Sequence, residues 1–129
     1  MTACGTVQEL EEAAAVIGSA TAKCEKAAAK LKQGGPQHTL AVRRLAAFYI
    51  AARLIDDALR GPDDAKQYSG ADLGTARRTF EQLTAMFIEL QERFKQGGPQ
   101  HTLAVKRLRA FRIALCLIAK ASGTYAGGC

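Results

Sequence analysis

Residues Lys32–Val42 read KQGGPQHTLAV, and residues Lys95–Val105 read the same letters again, 63 positions later. Each copy centres on Gly-Gly-Pro. Glycine ends a helix readily, and proline, with its fixed φ and no N–H, suits the first turn of the next one. So short a connection makes its two flanking helices neighbours that run in opposite directions. Carried on to Ala58 and Ala121, the copies agree at 20 of 27 positions, so the same helix follows each turn. Read outward, the stretch gives a helical hairpin, made twice.

The remaining punctuation agrees. Gly61-Pro62 closes the second helix and Gly123 the fourth, while Asp63 to Gly70 is a polar connection. Apolar residues recur at steps of three and four in every segment. The third carries Leu73, Ala76, Phe80, Leu83, Phe87, Leu90 and Phe94. The second carries Ala41, Leu45, Phe48, Ala52, Ile55 and Leu59, and the fourth Ala104, Leu108, Phe111, Leu115 and Ile118. In the first, Val7, Leu10, Ala14, Ile17, Thr21, Cys24, Ala28 and Leu31 share a face, half of them small. No strand-like alternation is present. The expected fold is all-α: an antiparallel up-down four-helix bundle with an internal two-fold hairpin repeat. It forms a single domain over 1–129, with helices at about 6–33, 36–60, 72–96 and 99–122.

At 129 residues, 48% apolar and 23% charged, the chain suits one hydrophobic core rather than a disordered segment. No run approaches the roughly 18 apolar residues of a membrane span, and Met1 to Ala15 does not read as a signal peptide. These features fit a cytoplasmic or recombinant product, as monomer or homodimer, with no membrane partner. The net charge is +6. Its Arg43, Arg44, Arg77, Arg78, Lys106, Arg107 and Arg109 are spread over several helices with few aromatics. That argues against nucleic acid and fits a charge that keeps a small domain soluble. The cysteines at 4, 24, 116 and 129 include no C-x-x-C pair, so they do not read as a zinc framework. Cys4 and Cys129 would meet at one end of an up-down bundle, as a disulfide or as free thiols. Cys24 and Cys116 read as small core residues.

The repeat is uneven. The turn is copied verbatim, whereas the helices before it share little beyond Ala13/Ala76, Thr21/Thr84 and Ala22/Ala85. In this reuse of KQGGPQHTLAV with individualised helices, the whole chain resembles de novo designed single-chain four-helix bundles of the kind built to bind a small molecule. A recent natural duplication is the other origin this pattern fits. The resemblance implies a small-molecule ligand held in the core; no cofactor is expected.

If the second and fourth helices began alike, their differences point to function. Tyr49/Arg112, Ala52/Leu115, Arg53/Cys116 and Asp56/Ala119 stand at i, i+3, i+4 and i+7, one stripe of a helix. Counting from the turns pairs helices 1 and 2 where residue numbers add to about 70, helices 3 and 4 near 196, and helices 1 and 4 near 134. Thr21, Tyr49, Thr84 and Arg112 then share a mid-bundle layer. Gly18, Arg53, Phe80 and Cys116 lie one turn away, and Asp56 comes close to Arg77. Polar groups converging in an apolar layer, with Ala14, Gly18 and Ala28 leaving room, describe a pocket for a ring-containing ligand. Arg112 would grip a carboxylate, carbonyl or phosphate. A second reading keeps Tyr49, Arg53 and Arg112 at the boundary, reaching water, with each threonine bonded to its own helix. The bundle is then a ligand-free scaffold or assembly module. A third makes the pocket an enzyme site, with Asp56 as base or Cys116 as nucleophile. His38 and His101, at equivalent repeat positions, are weak candidates for a metal or haem. The Glu-x-x-His pairs of di-iron bundles are absent.

Overall fold

The computed structural model describes residues 4–31, 33–60, 68–93 and 98–123. They form four helices: α1 (Val7–Lys30), α2 (Pro36–Arg60), α3 (Gly70–Arg93) and α4 (Pro99–Ala121). Their packing is that of a four-helix bundle, and the described residues contain no strand. No helix is long and apolar enough to cross a membrane, among the described residues.

The ends of the helices follow from local chemistry. At the start of α1 the Thr6 hydroxyl accepts from the Glu9 amide at 3.1 Å, and the Glu9 carboxylate accepts from the Thr6 amide at 2.9 Å, a reciprocal cap. This bonding to the carboxylate holds Glu9 below the usual glutamate pKa. Helix α1 stops at Lys30 rather than 33, because Leu31 turns to an extended conformation and Gly34 takes φ +85°. Helix α3 begins at Gly70, two residues before the sequence signal, because the Ser69 hydroxyl accepts from the Asp72 amide at 3.0 Å. Its expected end, 94–96, lies outside the described residues. The two copies of the turn start their helices in the same way. Thr39 gives both its amide and its hydroxyl to the Gly35 carbonyl, and Thr102 does the same to Gly98.

The core departs from the expected faces in α2 and α4. Buried on α2 are Ala47, Phe48, Ile50, Ala51 and Ile55, and on α4 their repeat equivalents Ala110, Phe111, Ile113, Ala114 and Ile118. Ala52, expected inward, is exposed. The reason is a third neighbour. Besides flanking α1 and α3, helices α2 and α4 approach one another across the bundle, while α1 and α3 do not. Ala47, Ala51, Ala110 and Ala114 are buried beside the phenylalanines of their helices, so α2 and α4 bury a wider arc than one stripe. On α3 the expected face holds, with Leu73, Ala76, Phe80 and Leu83 all buried.

Four phenylalanines run through this core in sequence of contact. Phe48 meets Phe80 at 5.8 Å between ring centroids, Phe80 meets Phe111 at 5.7 Å, and Phe111 meets Phe87 at 5.5 Å. Edge-on and tilted rings at these separations pack favourably, and they fill the mid-bundle.

Register within the hairpins also follows the count from the turns: Cys24 contacts Ala41, and Gln91 contacts His101. Register between them does not. Helix α1 was expected to set Glu12 beside Ser122 and Cys4 beside Cys129. Instead Glu12 pairs with Arg109, and Cys4 is disulfide-bonded to Cys116. Both partners lie about 13 residues earlier on α4, roughly 20 Å along its axis. Cys129 lies outside the described residues.

Candidate functional site

The expected mid-bundle layer does not assemble. Phe80, expected one turn from that layer, sits at the centre, fully buried between Phe48 and Phe111. Tyr49 is 50% exposed and donates its hydroxyl to the Glu25 carboxylate on α1 at 2.6 Å, a bond that raises the phenol pKa. Arg53 is exposed and pairs with Asp57 one turn on, at 3.2 Å. Arg112 is exposed and lies on a surface hollow beside Cys4, Glu9 and Gln91. Thr21 gives its hydroxyl to the Ile17 carbonyl at 2.7 Å. Gly18 faces open space, since a Cβ there would meet nothing within 4 Å. Cys116 is bonded to Cys4, which removes it as a nucleophile in this state. Asp56 pairs with Arg60 at 3.0 Å, not with Arg77, and is half exposed. The cause is helical phase: the third contact of α2 and α4 rotates Ala47, Ile50 and Ala51 inward, and Tyr49 and Arg53 outward with them.

Thr84 is the exception among these polar groups. Thr21, Thr39, Thr79 and Thr102 all bond a carbonyl four residues back, whereas the buried Thr84 hydroxyl has no partner among the described residues. Leaving such a group dry costs about 1–3 kcal/mol. The isosteric Thr84→Val is therefore expected to raise the melting temperature, by up to about 1 kcal/mol in stability. A loss of stability in urea unfolding would show that the hydroxyl has a partner.

His38 and His101 are half-buried at the start of their helices, and Nε2 of His101 lies 3.5 Å from the Gln91 amide nitrogen. Among the described residues no three His, Cys, Asp or Glu side chains converge as a metal site would require.

A roomier concavity than the hollow beside Arg112 lies elsewhere, towards the Gly34–Pro36 turn. It is a groove of about 350 Å³ reached by all four helices. Phe48, Leu83 and Phe111 form its buried floor, so the aromatic packing that fills the mid-bundle is also the base of the groove. Leu31, Leu40, Met86 and Phe87 supply apolar walls, and Lys23, Arg44 and Arg107 are the charged residues that line it. The Cys24 thiol, free in this structure, also lines it and donates to the Ala41 carbonyl at 3.5 Å; burial raises its pKa.

The groove has a counterpart, which explains its origin. Gln37, Leu40, Ala41 and Arg44 line it from the first copy of the repeat. Their equivalents Gln100, Leu103, Ala104 and Arg107 line a smaller hollow of about 240 Å³ in the second hairpin. What differs is the opposing helix. Helix α1 offers Cys24 and Ala27, where α3 places Phe87 and Leu90 at the equivalent positions. The same turn module is thus filled by large side chains in one hairpin and left open by small ones in the other. Neither Cys24 nor Arg44 nor Arg107 stood out in the sequence as a site residue. The signal that finds them is the comparison of α1 with α3 at 24/87 and 27/90, not of α2 with α4.

No family model, curated protein or solved structure matches the chain.

Proposed function

We propose that the protein is a small-molecule-binding four-helix bundle that takes a compact, ring-containing ligand in the groove beside the Gly34–Pro36 turn. The observation that carries this reading is the replacement of Phe87 and Leu90 by Cys24 and Ala27 at equivalent places, which leaves an apolar hollow over a floor of phenylalanine rings. Ligand pockets start at about 300 Å³, so a groove of about 350 Å³ suits a molecule of two or three rings. Rings of the ligand would stack on Phe48, Phe87 and Phe111, and Gln37 would bond a carbonyl or amide at the edge. This agrees with the resemblance to designed ligand-binding bundles, with the site moved from mid-bundle to one end.

The test makes the first hairpin like the second. A ring-containing ligand at a hundred times its dissociation constant stabilises the native state by about 2.7 kcal/mol, which raises the melting temperature by roughly 10 °C in a domain of this size. In Cys24→Phe/Ala27→Leu that rise should vanish, while the unliganded protein melts no lower than the parent. An unchanged ligand-induced shift in this variant would place binding outside the groove.

The scaffold reading has its own support in the mid-bundle, which Phe48, Phe80 and Phe111 fill. It predicts that no member of an aromatic ligand panel shifts the melt. Of the two residues in the enzyme reading, Cys116 is held in a disulfide and Asp56 is half exposed beside Arg60.

A further inference from the structure

We infer that the ligand of the groove is an anion: a compact aromatic body bearing one carboxylate, sulfonate or phosphate. The inference rests on the reading of the groove as a binding site and adds the charge its occupant carries. Lys23 from α1, Arg44 from α2 and Arg107 from α4 line the hollow, and no Asp or Glu does. None of the three takes part in an ion pair among the described residues. The other hollow beside α1 shows the contrast. There Lys106 and Arg109 face Glu9 and Glu12, and Arg109 pairs with Glu12 at 3.5 Å.

The position of these cations matters as much as their number. Arg107 holds its guanidinium over the Phe87 ring, 5.5 Å from the centroid, so that charge is anchored at the apolar wall. A planar guanidinium fixed beside a hydrophobic hollow presents two parallel donors to an oxyanion without first being ordered. Arg44 and Arg107 are the same position in the two copies of the repeat. In the groove they come from different helices to one hollow, which neither copy could supply alone. An anion seated between them leaves its ring system over Phe48, Phe111 and Leu83.

Two probes that share a body separate charge from shape. 8-Anilinonaphthalene-1-sulfonate and N-phenyl-1-naphthylamine differ by the sulfonate, and both fluoresce on entering an apolar site. The intact, oxidised protein should bind the sulfonate at least tenfold more tightly, the ratio expected of one charge-assisted contact. Arg44→Gln and Arg107→Gln should each reduce that ratio severalfold, without weakening the neutral probe. Bound sulfonate should also protect Cys24 from maleimide, read by peptide mass mapping at that residue. Equal affinity for the two probes overturns the anion while leaving the groove as a site. Binding that leaves Cys24 as reactive as before, or no binding of either probe, overturns the groove and the anion together.

Discussion

Phe80→Ala is expected to destabilise the protein by about 3–5 kcal/mol, the range for deleting a fully buried aromatic ring. The side chain has no exposed surface and joins α3 to both α2 and α4 through the rings of Phe48 and Phe111. Removing it withdraws apolar area from the core and leaves a void bounded by two rings that are held in place by their own helices. Collapse around that void would require α2 and α4 to move closer, and these helices already approach one another across the bundle. Urea unfolding should show a lower midpoint with an unchanged m-value, and the melting temperature should fall by roughly 10–18 °C. Benzene, added to the variant, should restore part of the loss by filling the hole. A change below 1 kcal/mol would mean that the rings do not form the centre of the core. Phe48→Ala combined with Phe80→Ala should cost less than the two separate losses together, because they share a contact.

Reduction of the Cys4–Cys116 disulfide is expected to produce a loss of similar size by another route. The bond spans a sequence separation of 112 residues. Closing a loop that long removes about 4.7 kcal/mol of chain entropy from the unfolded state. The native side matters too, because the cross-link ties the Thr6–Glu9 cap of α1 to α4, with Gly5 lying between Glu9 and Ile113. The reduced protein should melt roughly 10–18 °C lower than the oxidised one, and amides at the start of α1 should exchange faster. Cys4→Ser/Cys116→Ser should melt at the same temperature with or without reductant and match the reduced parent. Equal melting of the oxidised and reduced parent would remove the cross-link from any account of stability.

The candidate site was legible in the sequence only in part, for reasons that particular residues make clear. The positions at which α2 and α4 disagree point to Tyr49, Arg53, Arg112 and Cys116. Three of these are exposed and the last is cross-linked. The groove instead draws on places where the copies agree, Arg44/Arg107 and Phe48/Phe111. It exists because the other two helices disagree, at Cys24/Phe87 and Ala27/Leu90. A small residue on an apolar face reads as close packing in one dimension. It becomes a hollow only when the helix opposite stays where a larger partner would hold it.

The helices themselves were a different matter. KQGGPQHTLAV determined the starts of α2 and α4 at Pro36 and Pro99. Those outcomes depend on bonds between residues a few positions apart, such as Thr39 to Gly35 and Thr102 to Gly98, so the sequence alone determines them. The α3 face from Leu73 to Leu83 was legible because α3 meets only its two flanking helices, α2 and α4, and buries a single stripe against them. Only the tertiary structure decided the inward rotation of Ala47, Ile50 and Ala51, the shift of α1 along α4 that brings Cys4 to Cys116, and the groove. Nine residues separate α2 from α3, too many to fix the register between hairpins as the turns fix it within them. That register follows from how alanines and phenylalanine rings distant in the chain fit together, a balance of packing in which no local bond takes part.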